Sequence, residues 1–197
     1  DGVHGLILRS GKKKSFIDGA NLMEIAKDPS EMAIRHLVLQ LHETLGALAR
    51  APFPVVAVLE GQTALGGGCE LLLWSCDHVF ASPGSKIGLP EVNVGLFTAA
   101  GGSEALRRLV GLKKMLDVVM NGRTLPAEAL VECGLVSMTD SSSLMDGAVR
   151  WIEDHPDIVN RNHDDGWQEP FQLPAEEKTK LFDKMRARYT VCPEKPW

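Results

Sequence analysis

The apolar positions follow two rhythms. Between Glu31 and Arg50, Ile34, Leu37, Val38, Leu41, Leu45 and Leu48 recur at steps of three and four. That is the spacing of one helical face, and Pro52 and Pro54 end the helix it predicts. Val55 to Leu59 is instead an unbroken apolar run, as expected for a strand covered on both faces. Val3 to Leu8, with Gly5 inside it, reads as a short buried strand, and His78 to Ala81 as another. Helices are predicted over 70–75, 104–110 and 112–121, the last stopped by Asn121-Gly122. A short helix from Pro126 to Cys133 ends at Gly134, and Leu135 to Met138 is a short strand. Ser141-Ser142-Ser143 is expected to cap a helix running through Ile152. Strands alternating with helices indicate α/β. Strands this short, with recurring glycine turns, fit a spiral of ββα units better than a large open sheet.

Beyond residue 153 the pattern changes. The chain is polar and rich in Pro, Asp and His until about Pro174. A helix over 175–188 follows, with Leu181, Phe182 and Met185 on an apolar face. The core is therefore read as residues 1–153, and 154–197 as an arm and a helical extension. That helix docks either on its own domain or on another subunit.

Composition narrows the function. The 197 residues carry 21 Lys+Arg against 26 Asp+Glu, a net charge of −5. The chain as a whole is no nucleic-acid binder. Lys12-Lys13-Lys14, Arg107-Arg108 and Lys113-Lys114 are local basic clusters, serving either an anionic ligand or only the solvated surface. Cys69, Cys76, Cys133 and Cys192 have no zinc-like spacing. Cys69 and Cys76 lie among apolar neighbours and are expected to be buried thiols, which favours a reducing compartment. No stretch is long and apolar enough to span a membrane. No signal peptide is visible at the start, and the start itself looks cut.

The candidate chemistry lies in Ala64-Leu65-Gly66-Gly67-Gly68-Cys69-Glu70 and in Gly88-Leu89-Pro90-Glu91. Three consecutive glycines between an apolar run and a helix start leave backbone N–H groups uncovered, a place suited to negative charge. Two glutamates stand beside these turns. Taken alone, Glu70 is a carboxylate at a helix N-terminus and Glu91 a turn residue after proline. Together they suggest an oxyanion site with two carboxylates. Other constellations fail. There is no GxSxG elbow or P-loop, and His42-Glu43 does not continue as HExxH. Asp154, His155, His163, Asp164 and Asp165 read as a polar loop rather than a metal site.

Phe16-Ile17-Asp18-Gly19-Ala20-Asn21-Leu22, the glycine run through Leu71, Cys76-Asp77 and Lys86 to Gly95 together resemble the crotonase (enoyl-CoA hydratase/isomerase) superfamily. Gly101-Gly102 and residues 129–136 continue the pattern. The tail resembles, less firmly, the end of the hydratase domain in multifunctional fatty-acid oxidation proteins. The resemblance implies a crotonase-like spiral acting on acyl-CoA thioesters. It implies no metal or redox cofactor, since CoA arrives with the substrate. The backbone N–H groups of Ala20 and Gly67 are the implied oxyanion donors. Glu70 is the implied base on a water, and Glu91 the implied source of the α-proton. Asp18, Gly19, Leu22, Gly66 and Ala99 are the implied substrate contacts.

Hydration of a trans-2-enoyl-CoA in β-oxidation is the first expectation. Δ3,Δ2-enoyl-CoA isomerisation through Glu91, or acyl-CoA binding without turnover, are the alternatives. Family members are usually trimers or dimers of trimers, or parts of multifunctional chains. A bacterial cytoplasm or an organelle matrix is the expected location. The sequence departs from the family pattern at Asp18, at Asn21 in place of the usual Asp, and at Phe97-Thr98-Ala99-Ala100, where Ala99 replaces a glycine whose N–H contacts the catalytic water. The N-terminal strand pair and CoA-contacting loop usual in the family are expected to be missing.

Overall fold

The computed structural model describes residues 2–158 and 174–188. Its elements come in repeated groups. The first is β1 (Leu6–Arg9), a single parallel bridge at Ser15, then α1 (Leu22–Lys27) and α2 (Glu31–Ala49). The second is β2 (Val55–Leu59), β3 (Thr63–Leu65) and α3 (Gly67–Ser75). The third is β4 (His78–Ala81), β5 (Lys86–Gly88), a 3-10 turn at Glu91–Val94 and α4 (Gly102–Asn121). Then come β6 (Thr124–Pro126), β7 (Val136–Met138), α5 (Leu144–Asp154) and α6 (Ala175–Arg188). The first strands of the three groups, together with β7, form one parallel sheet of order β1-β2-β4-β7. The second strands of the later two groups form a smaller sheet, in which β3 runs parallel to β5, and β6 joins it antiparallel to β5. This is the predicted spiral of ββα units.

Pro54 sets where the larger sheet begins. The Leu6 N–H donates to the Pro54 carbonyl at 2.8 Å, but proline has no N–H to return. The ladder therefore opens with Leu6 opposite Val55. For this reason β1 starts at Leu6, three residues later than the sequence pattern predicts, and Val3 is exposed. Asp77 fixes the same edge: its carboxylate accepts the Val55 N–H at 2.8 Å, and its own N–H donates to the Val55 carbonyl at 2.7 Å.

All five residues of β2 are buried. Val55, Ala57 and Leu59 enter the main core with Leu72, Leu73, Leu106 and Leu109. Val56 and Val58 face Phe80, Leu144, Ala148 and Ile152 on the other side. A strand with helices on both faces has no use for polar alternation, hence the continuous apolar run.

Four further expectations change. The α2 stripe is buried only near its C-terminal end, at Leu45, Gly46 and Ala49, while Ile34 and Leu37 stay exposed. α2 packs along α3, and its first turns run beyond that contact. α3 begins at Gly67, three residues before the predicted start, because the second and third glycines take helical geometry. The serines 141–143 form a 3-10 turn without a side-chain cap, since Ser143 itself is helical in φ/ψ. Instead of a helix spanning Pro126 to Cys133, there is a 3-10 turn at Ala127–Leu130, with Pro126 ending β6. The two helices predicted over 104–121 are present, joined through a kink at Gly111 (φ 82°, ψ 163°). In the tail, α6 matches the predicted helix. The reading of 159–173 as an extended arm, and of His163, Asp164 and Asp165 as a polar loop, falls outside the described residues, as do Cys192 and the Met185 side chain.

Candidate active site

Gly66 is the N-cap of α3, at φ 54° and ψ −126°, a conformation open to glycine at no steric cost. Its N–H donates to the Gly88 carbonyl at 3.0 Å, and the Leu65 N–H donates to Ile17 at 2.8 Å. These bonds bring three distant segments together: the Ile17–Ala20 turn, the glycine run and the approach to Glu91. Close approach demands the missing side chains. A Cβ on Gly68 would overlap the Ile17 carbonyl oxygen. A Cβ on Gly19 would stand 3.6 Å from Gly67 N, and one on Gly66 would stand 3.3 Å from Glu91 Oε1.

Gly67 is the first residue of α3, so its N–H has no intrahelical acceptor. Ala20 follows Gly19 in an exposed turn. Among the described residues, neither N–H donates to a backbone carbonyl. Two uncommitted donors thus flank the point where Gly19 meets the glycine run.

Glu70 is 2% exposed. Its Oε1 accepts the Ala100 N–H at 2.8 Å and the Gly102 N–H at 3.0 Å. Gly102 opens α4, so the carboxylate sits at the positive end of that helix. The carbonyl of Ala99, the residue whose N–H the family resemblance aims at the catalytic water, meets His42 Nε2 at 2.5 Å. The sequence signal for the Ala100 and Gly102 donors is the Gly101-Gly102 pair, which also continues the family pattern. His42 gave no signal, because its partner lies 57 residues away.

Glu91 begins the 3-10 turn. Its Oε2 is buried and has no hydrogen-bond partner among the described residues. Burial pushes the carboxyl above its ordinary value. A backbone hydrogen bond opposes this in part, and the negative charge of Glu70 adds to the rise. A carboxyl so placed holds its proton to a higher pH than an exposed one.

Of the remaining predicted residues, Asp18 and Leu22 are exposed. Asp18 accepts the Ser15 hydroxyl at 2.6 Å on the surface. Leu22 opens α1 and is 45% exposed; Asn21 caps that helix by accepting the Met23 N–H at 3.1 Å. The Lys12–Lys14 loop is exposed and is tied down by the buried Gln62, whose amide donates to the Ser10 and Lys12 carbonyls. Arg107 and Arg108 are engaged by Glu104 at 2.8 and 2.7 Å. Hydrogen bonds from Arg107 first, then Arg108, bring the Glu104 carboxyl down to about 2.

The sequence model of the family described as Enoyl-CoA hydratase/isomerase matches residues 1–164. The chain is 38% identical over 146 residues to the fatty acid oxidation complex subunit alpha of Shewanella loihica, and 37% over 155 residues to that of Vibrio cholerae. These matches cover 73% and 77% of this chain but 20% and 22% of the relatives, so the chain spans about a fifth of their length. The crystal structure of an enoyl-CoA hydratase from Bacillus anthracis superposes with a TM-score of 0.66 at 32% identity. That match covers 76% of this chain and 57% of the other.

Proposed function

This chain belongs to the enoyl-CoA hydratase/isomerase family, and from that membership we propose that it adds water across the double bond of trans-2-enoyl-CoA thioesters in fatty-acid β-oxidation. The observation that carries the reading is the contrast between two carboxylates. Glu70 is held by two N–H donors, and Glu91 is biased toward its protonated form. Glu70 takes a proton from water as the oxygen bonds to the β-carbon. Glu91 gives its proton to the α-carbon. The product gains H and OH, the surplus proton rests on Glu70, and exchange with solvent returns the pair to its starting state.

During the addition, negative charge collects on the thioester oxygen. The N–H groups of Ala20 and Gly67 are the proposed donors to it, a type of interaction that supplies about 3–4 kcal/mol per donor where measured. The Gly19–Gly67 approach supports this assignment. Asp18, Gly19, Leu22, Gly66 and Ala99 are the proposed substrate contacts. No metal or redox group is part of the proposal; CoA enters with the substrate.

Isomerisation of a Δ3-enoyl-CoA to the Δ2 isomer is the second reading. It needs one carboxyl to move a proton between two carbons, and the raised Glu91 supports it. Acyl-CoA binding without turnover would need neither glutamate. For assembly we propose a homotrimer or hexamer, or a domain within a multifunctional chain. The exposed Met32, Ile34 and Leu37 of α2 are compatible with a covered face. No helix of the described residues is long and apolar enough to cross a membrane. The buried free thiols Cys69 and Cys76 suit a bacterial cytoplasm or an organelle matrix.

The test follows loss of the conjugated-thioester absorbance of a short trans-2-enoyl-CoA. Hydration abolished by both Glu70→Gln and Glu91→Gln supports the hydratase. Isomerisation lost with Glu91→Gln alone supports the second reading. Binding without either reaction supports the third.

A further inference from the structure

The peptide joining Ala99 to Ala100 is engaged on both sides. Its N–H donates to Glu70 Oε1 at 2.8 Å. Its carbonyl lies 2.5 Å from Nε2 of His42 on α2. A carbonyl oxygen has no proton to offer, so Nε2 carries the hydrogen, and the ring is either that tautomer or the imidazolium. The peptide is planar, so fixing the direction of its carbonyl fixes the direction of its N–H. Donation to the carbonyl also polarises the amide and strengthens the N–H as a donor. One rigid unit thus connects an exposed imidazole to a carboxylate that is 2% exposed.

The loop needs such a tether. Leu96, two residues past the 3-10 turn, returns a backbone bond to Glu91 at 3.0 Å, and the next such bond is Ala105 to Gly101 at 2.9 Å. Among the described residues, no backbone–backbone hydrogen bond holds 97–99. Phe97 is 80% exposed, so its side chain does not anchor this part of the loop. His42 itself fills no core position: the buried part of α2 begins at Leu45. Its ring has little structural use apart from this contact.

We propose that His42 is a positioning residue for Glu70, acting through the Ala99–Ala100 peptide. The proposal rests on the reading of Glu70 as the carboxylate that handles the water. It assigns His42 no contact with substrate. Its effect falls on the chemical step, because a misdirected Ala100 N–H lets Glu70 turn while the proposed acyl-CoA contacts at Asp18, Gly19, Leu22 and Gly66 remain in place.

The experiment compares wild type, His42→Ala and His42→Gln in the full 197-residue chain. Glutamine can present an amide N–H near the Nε2 position. Two readouts are taken: the Ala100 and Gly102 amide protons by NMR, and kcat and KM on a short trans-2-enoyl-CoA. His42→Ala is expected to shift the Ala100 amide upfield and speed its exchange, with a smaller change at Gly102. It should lower kcat by about 10- to 100-fold, the cost of a small misplacement of a catalytic group, and leave KM unchanged. His42→Gln should recover both signals. An Ala100 amide unmoved by His42→Ala overturns the proposal. So does a loss in which KM and melting temperature change together and glutamine rescues nothing. If wild type does not hydrate the substrate, the functional reading falls and the amide readout alone decides whether His42 orients the peptide that holds Glu70.

Discussion

Gly102 both ties and crowds Glu70: its N–H donates to Oε1 at 3.0 Å, while a Cβ on it would stand 2.6 Å from Glu70 Cγ. The hydrogen bond and the missing side chain answer the same need, a carboxylate seated against the first turn of α4. Gly102→Ala is expected to push Glu70 off that seat. Overpacking of this kind costs about 1–3 kcal/mol, and the misplacement should lower kcat by about 100-fold. Thermal unfolding and steady-state kinetics on one preparation check both.

Glu70→Gln keeps an oxygen for the Ala100 and Gly102 donors but removes the base. Stability should change little, while kcat falls by about 100- to 10,000-fold, the usual weight of a positioned acid or base. A hydration rate within a few-fold of wild type would remove Glu70 from the mechanism.

Glu91 is poised at a cost in stability. Its carboxyl is raised from 4.5, so the folded state binds the proton more tightly than the unfolded chain. Stability therefore falls as pH rises from 4.5 toward the raised value, and stays lowered above it. Glu91→Gln removes that penalty. The variant should melt higher than wild type at neutral pH, match it below 4.5, and be inactive throughout. The wild-type rate should decline on the alkaline side as Glu91 loses its proton. Melting curves across pH decide the sign.

Glu104 behaves in the opposite sense. Its carboxyl is lowered from 4.5 to about 2 by Arg107 and Arg108. The stability it contributes is present above 4.5 and lost as pH falls through about 2. All three side chains are part-exposed, so Glu104→Gln should cost about 1 kcal/mol or less at neutral pH. Below about pH 2 the variant and wild type should become equally stable, which acid titration of the melting temperature tests.

Burial raises the thiols of Cys69 and Cys76 well above the usual cysteine range. Both are expected to resist a thiol reagent in the native protein and to react on unfolding. Cys133, half-buried and raised less, should label first of these three. Mass-spectrometric mapping of labelled peptides over time distinguishes them.

Much of this protein is written locally. The β2 run, the α2 rhythm, the stop at Gly122 and the glycine run beside Glu70 are legible because each depends on neighbours a few residues away. β3, β5 and β6 are not legible, since three residues are too few for a period and each exists only through its partner strand. The exposure of the first half of α2 is hidden for the same reason: an apolar stripe does not say how much of it a neighbouring helix covers. Residue types and their order suffice to pick out Glu70, Glu91, Ala20 and Gly67 as candidates. What holds them depends on the tertiary structure. Ala100 and Gly102 reach Glu70 across 30 and 32 residues, and His42 reaches Ala99 across 57. Hydrogen-bond direction and burial are properties of assembled segments, and these decide that the Glu91 carboxyl is raised by burial while Glu70 is held by two N–H donors.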